Sequence, residues 1–425
     1  LSWRIAIGLG DVYRALGQYA ESRAMLESGL ALTETDQFTE QQKAGLYRRL
    51  GETTQKQGEL EAAHEYFAHA LTILGELTDP QAQSEVALIL NDLAWIHYVR
   101  GHFDQAREAC EASLTYARSV DALNELAAAE NLLGGIYYRQ SEWTAALHHT
   151  TRAMILREQM GYTWGVASTL SNLGILAVAA GHWTKARSFF ERSLALRREM
   201  GDVEGVAIVH NNLGTLARDQ GELDLAETHF RQSVAIATPF NIAFHSANAH
   251  IGLAQTLLLR GEHTAAQESL DTSLEQAEAL GAKDMLAEIH WVQAEILAAQ
   301  SRWHEAKSVA TQAAELATAT GNRSLELAAW RLLSEIELQN GKLRAARAAL
   351  DQAQQFMAEA NDDLEAGRMA AQAGRLHLYS GQLAQARHEL RVAQQVFMRL
   401  GASLDLKNVE EAMKELSLSK AETNS

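Results

Sequence analysis

The chain holds one cysteine, Cys110, and two prolines, Pro80 and Pro239, in 425 residues. A single thiol forms no internal disulfide and no cysteine-based zinc site, and it suits a reducing compartment. A cytoplasmic protein is therefore expected. So little proline leaves almost nothing to interrupt helices, and nearly continuous helix with short connections follows. Aromatic residues are only 7% of the chain, while alanine and leucine dominate its 47% hydrophobic fraction. The longest uncharged apolar run, Leu173 to Ala180, is far shorter than the ~18 residues a membrane span needs. No basic, apolar leader opens the chain. Positive charge is in deficit, with 37 Lys and Arg against 54 Asp and Glu and a net charge of −17. Phosphate recognition depends on cations, so neither nucleic acid nor a membrane is expected as the main partner.

What is present is a repeat. Turn-forming residues stand at 17, 58, 101, 141, 181, 221, 261, 301, 341 and 381, spaced by 41, 43 and then 40 residues seven times. With each taken as position zero, plus 5 is Ser22 and then alanine in every unit from Ala63 to Ala386. Plus 12 is Gly, Ala or Ser throughout, and minus 7 is equally small, from Gly10 to Gly374. Plus 2 is mostly bulky, as in Phe103, Trp143, Trp183 and Trp303. Small residues at fixed places let two helix backbones approach closely while neighbouring large ones fill the gap. Near plus 20 a second series of Asp121, Gly161, Gly201, Asn241, Gly281, Gly321, Asn361 and Gly401 tolerates left-handed backbone and ends a helix. Asp104, Thr144, Thr184, Asp224 and Thr264 at plus 3 read as N-caps. Each unit is then helix A, a turn, helix B and a second turn.

The recurring signature, as in Asn172-Leu173-Gly174 through Gly181-His182-Trp183 to Ala186, resembles the tetratricopeptide repeat (TPR) family over residues 1–403. The 40-residue period exceeds that family's usual 34 and is similar to kinesin light chains, spindle-orientation adaptors and the sensor arrays of bacterial STAND-type regulators. The resemblance implies an all-α, right-handed α-solenoid of ten helix pairs. Residues 404–416 are expected to form a C-terminal capping helix and residues 417–425 a disordered tail. The chain starts at Leu1 rather than Met, and Trp3, Ile5 and Ile7 follow with no cap before them. We read it as a piece of something longer, because an uncapped solenoid end needs a neighbour.

On helix A, places minus 13, minus 10, minus 9, minus 6, minus 3 and minus 2 form a stripe apart from the packed face. In TPR relatives that stripe lines an inner groove. Here it carries Asn91, Asp92, Asn131, Asn172, Asn211 and Asn212 in successive units, with Trp95, Tyr98, Tyr138, Arg139, Thr215 and Arg218 nearby. An asparagine both donates to and accepts from a peptide backbone, so this ladder can hold an extended chain; it can equally bond neighbouring helices. The stripe holds ten basic residues (Arg4, Arg14, Arg48, Arg49, Lys56, Arg139, Arg218, Arg331, Arg368, Arg375) against seven acidic ones (Asp11, Glu52, Asp92, Asp219, Glu288, Glu295, Glu335). A relatively basic groove in an acidic body suits an acidic protein or peptide ligand.

Chemistry has weaker support. His210, His250 and His290 share minus 11, but adjacent repeats lie about 10 Å apart, too far for one metal ion, so they read as packing. His64-Glu65 with His69 is one residue too long for a zinc-protease motif. Gly341-Lys342 lacks a phosphate-loop pattern, and Gly161 to Gly165 has Thr163 where a nucleophile would stand. Cys110 falls on a core place shared with Phe67, Phe190 and Phe230. No enzyme, cofactor or metal is expected. Three binding roles remain open: the sensor array of a larger signalling protein, a free-standing peptide adaptor, or a small-molecule sensor.

Overall fold

The structure, a computed structural model, describes residues 3–32, 39–75, 77, 79–140, 142–240, 242–360 and 362–423. The described residues form 21 α-helices and no strand. Contacts divide the chain into two units, residues 1–169 and 170–425. Unit 1 holds α1 (Trp3–Ala15), α2 (Tyr19–Ala31), α3 (Glu40–Lys56), α4 (Leu60–Leu74), α5 (Pro80–Val99), α6 (Phe103–Ser119), α7 (Leu123–Arg139) and α8 (Trp143–Gln159). The boundary falls within α9 (Thr163–Ala179). Unit 2 continues with α10 (Trp183–Met200), α11 (Val203–Gln220), α12 (Leu223–Ala237), α13 (Ala243–Leu259), α14 (His263–Leu280) and α15 (Lys283–Ala299). It ends with α16 (Trp303–Thr320), α17 (Arg323–Gln339), α18 (Leu343–Ala360), α19 (Asp363–Tyr379), α20 (Leu383–Leu400) and α21 (Ser403–Thr423).

The repeat arithmetic has direct packing causes. The plus 5 residues, from Ser22 and Ala63 to Ala386, are fully buried. A Cβ added at Gly51 would lie 2.6 Å from the Phe67 ring, and one at Gly214 would lie 2.9 Å from Phe230. The minus 7 residue must therefore be small where plus 9 of the same unit is an aromatic ring. Serine at plus 12 adds a bond that alanine cannot make. The hydroxyls of Ser113, Ser233 and Ser273 donate to the carbonyls of Ala87, Ala207 and Ala247 at 2.8–3.0 Å, tying helix B to helix A. The turns use left-handed backbone even without glycine, at Asp121 (φ 52°) and Ser301 (φ 60°). The expected turns at Ser141, Asn241 and Asn361 lie outside the described residues.

Two local expectations need correction. The helix B members begin at plus 2, so Asp104, Thr144, Thr184, Asp224 and Thr264 lie inside the first turn rather than at the N-cap. The true N-caps, such as His102 and Glu222, make no side-chain capping bond, because the left-handed turn residue just before them feeds the chain straight into the helix. Side-chain capping occurs instead at helix A starts, where Asp79, Asp202 and Asn322 accept from backbone N–H groups. The second correction concerns the chain end. Helix α21 runs to Thr423, through residues expected as tail, because no Gly or Pro after Ser403 stops it.

Unit 2 also closes on itself. Trp183, Phe190, Leu213 and Leu216 of α10 and α11 share one buried cluster with Leu390, Phe397, Leu400, Val409 and Leu416 of α20 and α21. Ser403 Oγ donates to the Gln220 carbonyl at 2.7 Å. Helix α21 thus covers α20 as a cap does, and it also reaches back to the unit's early helices.

Candidate ligand-binding cleft

In unit 1 the asparagines and aromatic residues of the stripe sit on α5 and α7, and most of its charged residues on α1 and α3. Asn91 is buried, and its Nδ2 donates to the Glu125 carbonyl at 3.0 Å, so this asparagine bonds a neighbouring helix. Its Oδ1, and that of half-buried Asn131, have no partner among the described residues. Burial lifts the Asp92 carboxyl to about 6, with Arg48 and Arg14 offsetting only part of that rise. Trp95 and Tyr138 are exposed, Arg139 is exposed, and Tyr98 is half-buried against the Phe103 ring. Three of the unit's stripe cations are compensated. Arg14 pairs with Asp11 and Glu52, Arg49 with Asp11, and Arg48 with Glu52 and Glu85.

In unit 2, Asn172 is exposed, while Asn211 and Asn212 are half-buried. Thr215 Oγ1 donates to the Asn211 carbonyl at 3.2 Å, and the buried Asn211 Oδ1 has no partner among the described residues. Asn211, Thr215 and Arg218 are spaced 4 and 3 residues apart on one face of α11. That face leads to a cleft of about 590 Å³ with Arg218 in its wall. Helices α11, α13, α15, α17 and α19 supply the wall, and α21 completes it with Asp405, Asn408 and Val409. Every helix A residue in the wall falls on minus 13, minus 10, minus 9, minus 6, minus 3 or minus 2. The size lies within the range typical of ligand pockets, roughly 300–1,000 Å³.

The electrostatics of this cleft differ from a count of charges. Its four arginines are already engaged. Arg218 bonds Asp219 and Gln255, and Arg331 bonds Glu365 at 3.0 Å. Arg368 bonds Glu365 and Asp405, and Arg375 lies 3.6 Å from Glu335. Burial works to raise Glu365, yet Arg331 and Arg368 outweigh it and hold the carboxyl at about 2. The basic excess of the stripe is therefore not free positive charge here. Acceptors outside the stripe, above all Glu365 and Asp405, consume it.

What is left unengaged is acidic. Glu288, Trp291 and Glu295 lie on one face of α15, at spacings of 3 and 4. Neither carboxyl has a hydrogen bond or ion pair among the described residues. Burial raises both, Glu295 to about 7, against the partial opposition of Arg331 and Arg368; Arg218 opposes the rise at Glu288. The Trp291 indole N–H is buried without an acceptor among the described residues. Trp303 at plus 2 is half-buried, packs on the core around Leu297 and Ala306, and forms part of the same wall. Of the α15 residues, Trp291 and Glu295 line the cleft, where Glu295 can accept from a cation and Trp291 can donate one hydrogen bond.

Two members of the histidine ladder have packing partners, while the buried Nδ1 of His290 has none among the described residues. His210 Nδ1 faces His229 Nδ1 at 3.0 Å, and burial, with His229 and Arg198 adding to it, lowers His210 to about 4. His250 meets Ser269 at 3.1 Å. Cys110 is fully buried, which pushes its thiol up to about 12 and leaves it unreactive.

These features define a class first: a helix-pair repeat protein with an internal cleft on its helix A face. A tetratricopeptide repeat family model matches residues 4–76, 124–199, 165–239 and 205–279, and a second such model matches 86–120. The chain belongs to the tetratricopeptide repeat family. Solved structures agree on the fold. Aspartyl phosphate phosphatase F from Bacillus subtilis has a TM-score of 0.59 at 11% identity, over 84% of this chain and 94% of that one. A Rap protein complexed with Competence and Sporulation Factor has a TM-score of 0.55 at 12% identity, over 93% and 99%. The apo form of RapI has a TM-score of 0.52 at 16% identity, over 66% and 99%. No curated protein sequence matches this chain.

Proposed function

We propose that this chain is a binding module without catalytic function, and that its unit 2 cleft holds an extended segment of a partner protein bearing a basic side chain. The unengaged Glu295 carboxyl beside the unpaired Trp291 N–H, in a cleft whose arginines are all compensated, carries the reading. An ammonium or guanidinium group would replace the missing partner of Glu295, and a main-chain carbonyl would accept from Trp291. The acidic ligand expected from the stripe is less well matched, because it would have to displace Glu365 or Asp405 from arginines they already hold. That a Rap protein was solved in complex with Competence and Sporulation Factor supports the idea that this fold can hold a bound partner. The 40-residue period supports a place in a signalling protein, such as the sensor array of a STAND-type regulator.

A peptide array, followed by calorimetry on the best binders, tests this. Binders enriched in Lys or Arg, weakened about tenfold or more by Glu295→Gln, are expected; that loss corresponds to about 1.4 kcal/mol. Acidic binders indifferent to Glu295→Gln would sink the reading. Small amines that bind the cleft without any peptide would move it to a small-molecule sensor.

A further inference from the structure

Near its end, helix α8 holds a cation that the repeat does not require. Place plus 16 is buried core in most repeats, where Leu74, Ala117, Ala237, Ala277, Ala317 and Phe397 are at most 1% exposed. Two repeats carry arginine there instead, Arg157 on α8 and Arg197 on α10. In both, a glycine at plus 24 makes room for the long side chain. A Cβ at Gly205 would strike the Arg197 guanidinium and the Asp202 carboxylate. One at Gly165 would lie 3.0 Å from Arg157 Cδ and 2.6 Å from the Tyr162 ring.

The two arginines differ in what meets them. Arg197 Nη1 donates to Asp202 Oδ2 at 2.5 Å, and Asp202 Oδ1 caps α11 by accepting from the Gly205 N–H at 2.9 Å. The plus 21 place that Asp202 fills is Tyr162 one repeat earlier. Arg157 therefore bonds neutral oxygens, the Gly165 carbonyl at 3.3 Å and Thr169 Oγ1, both through Nη1. Its Nε and Nη2 have no partner, and no carboxylate pairs with it, among the described residues. Burial lowers the pKa of this guanidinium, with Tyr162 opposing the fall. A half-buried charge without a counter-ion is costly to keep unless something else supplies one. Beside it, Tyr162 and Trp164 are 47% and 54% exposed, with ring centroids 6.4 Å apart. Exposed aromatics flanking an unmatched arginine are the side chains that most often anchor a protein interface.

We propose that Arg157, Tyr162 and Trp164 form a docking site for an acidic segment of a partner protein, an Asp or Glu with a large apolar side chain next to it. The carboxylate takes on Arg157 the role that Asp202 has on Arg197, accepting from Nε and Nη2, and the apolar side chain lies against the two rings. One guanidinium matches one negative charge, which favours a carboxylate over a phosphate dianion. The site lies wholly in unit 1 and prefers the opposite charge to the unit 2 cleft, so it stands without that reading.

Fluorescence anisotropy of short labelled peptides with Glu-Trp or Gln-Trp at their centre tests this. The glutamate peptide should bind about tenfold or more tightly than the glutamine peptide. Trp164→Ala should weaken it about tenfold and leave the melting temperature unchanged, since that ring is exposed. Tyr162→Asp rebuilds the Arg197–Asp202 arrangement within the chain. It should abolish binding and raise the melting temperature by about 2 °C. Equal binding of the two peptides, no binding of either, or binding that survives Tyr162→Asp overturns the inference, as does preference for a phosphoserine-Trp peptide over the glutamate one. Acidic binders that Tyr162→Asp removes belong to this site, so the unit 2 cleft is tested in the Tyr162→Asp chain.

Discussion

Both units carry the same inner stripe and pair several of its arginines with acids, but they do so in different surroundings. In unit 1 the pairs Arg14–Asp11 and Arg49–Asp11 keep about a quarter to a third of each side chain open to solvent. In unit 2 the Arg331–Glu365 pair keeps 13% and 10%, and Glu295, which shares the cleft wall with Arg331, finds no partner among the described residues. The difference comes from enclosure. The early and late helices of unit 2 share one core with α21, which brings Asp405 and Asn408 to the cleft wall. Unit 1 thus keeps its Asp11 pairs solvated while enclosing Arg48, Glu85 and the unpartnered Asp92 Oδ2, and unit 2 adds a cleft whose Glu295 finds no partner among the described residues.

The two units should differ most at their arginines. Arg331→Met should cost unit 2 about 3 kcal/mol, because it leaves the buried Glu365 with one cation instead of two. Arg49→Met in unit 1 should cost under about 1 kcal/mol, as expected for a partly solvated pair. Denaturant unfolding of both variants checks this, and equal losses would erase the distinction between the units. The helix packing, by contrast, should be alike. Ala186→Leu and Ala106→Leu each overfill a fully buried plus 5 site and should cost about 1–3 kcal/mol in either unit. A neutral effect at one of them would mean that the repeat is phased differently there.

Glu295 gives a pH-dependent form of the same contrast. Its folded pKa is raised, so below about 4.5 both folded and unfolded chains hold the proton and nothing is lost. As pH rises towards 7 the unfolded chain ionises first, and folding becomes less favourable. Glu295→Gln should therefore stabilise the protein by about 2 kcal/mol at pH 8 and leave it unchanged at pH 4. Asp92→Asn in unit 1 should act in the same direction with its midpoint near pH 6. Thermal melts across that pH range measure both. The smallest effect expected is that of Ser403→Ala, which removes one hydrogen bond of the unit 2 closure and should cost about 1 kcal/mol.

The sequence shows the repeat so clearly because each small residue answers to a contact within its own or the next helix pair. Gly51 needs room for Phe67, and Ser113 reaches Ala87. Local contacts of this kind recur forty residues later and so leave a period. The helix A stripe is legible for the same reason, and the cleft wall falls on it. Charge compensation is not legible by counting. Arg331 pairs with Glu365 and Arg368 with Asp405, partners 34 and 37 residues on, and neither acid lies on the stripe. The closure of unit 2 is less visible still. Ser403 meets Gln220 across 183 residues, a contact set by curvature accumulated over several helix pairs and marked by no motif.

In the proposed function, Glu295 is the unfilled half of an ion pair whose other half a partner brings. The affinity of a lysine-bearing peptide selected on this protein, measured by calorimetry from pH 5.5 to 8, tests it most directly. The wild-type chain should bind about tenfold or more tightly at the upper end, as Glu295 ionises near pH 7. In Glu295→Gln that rise should vanish and the affinity stay low throughout. Parallel pH profiles for the two proteins, with equal affinity at pH 8, would contradict the account.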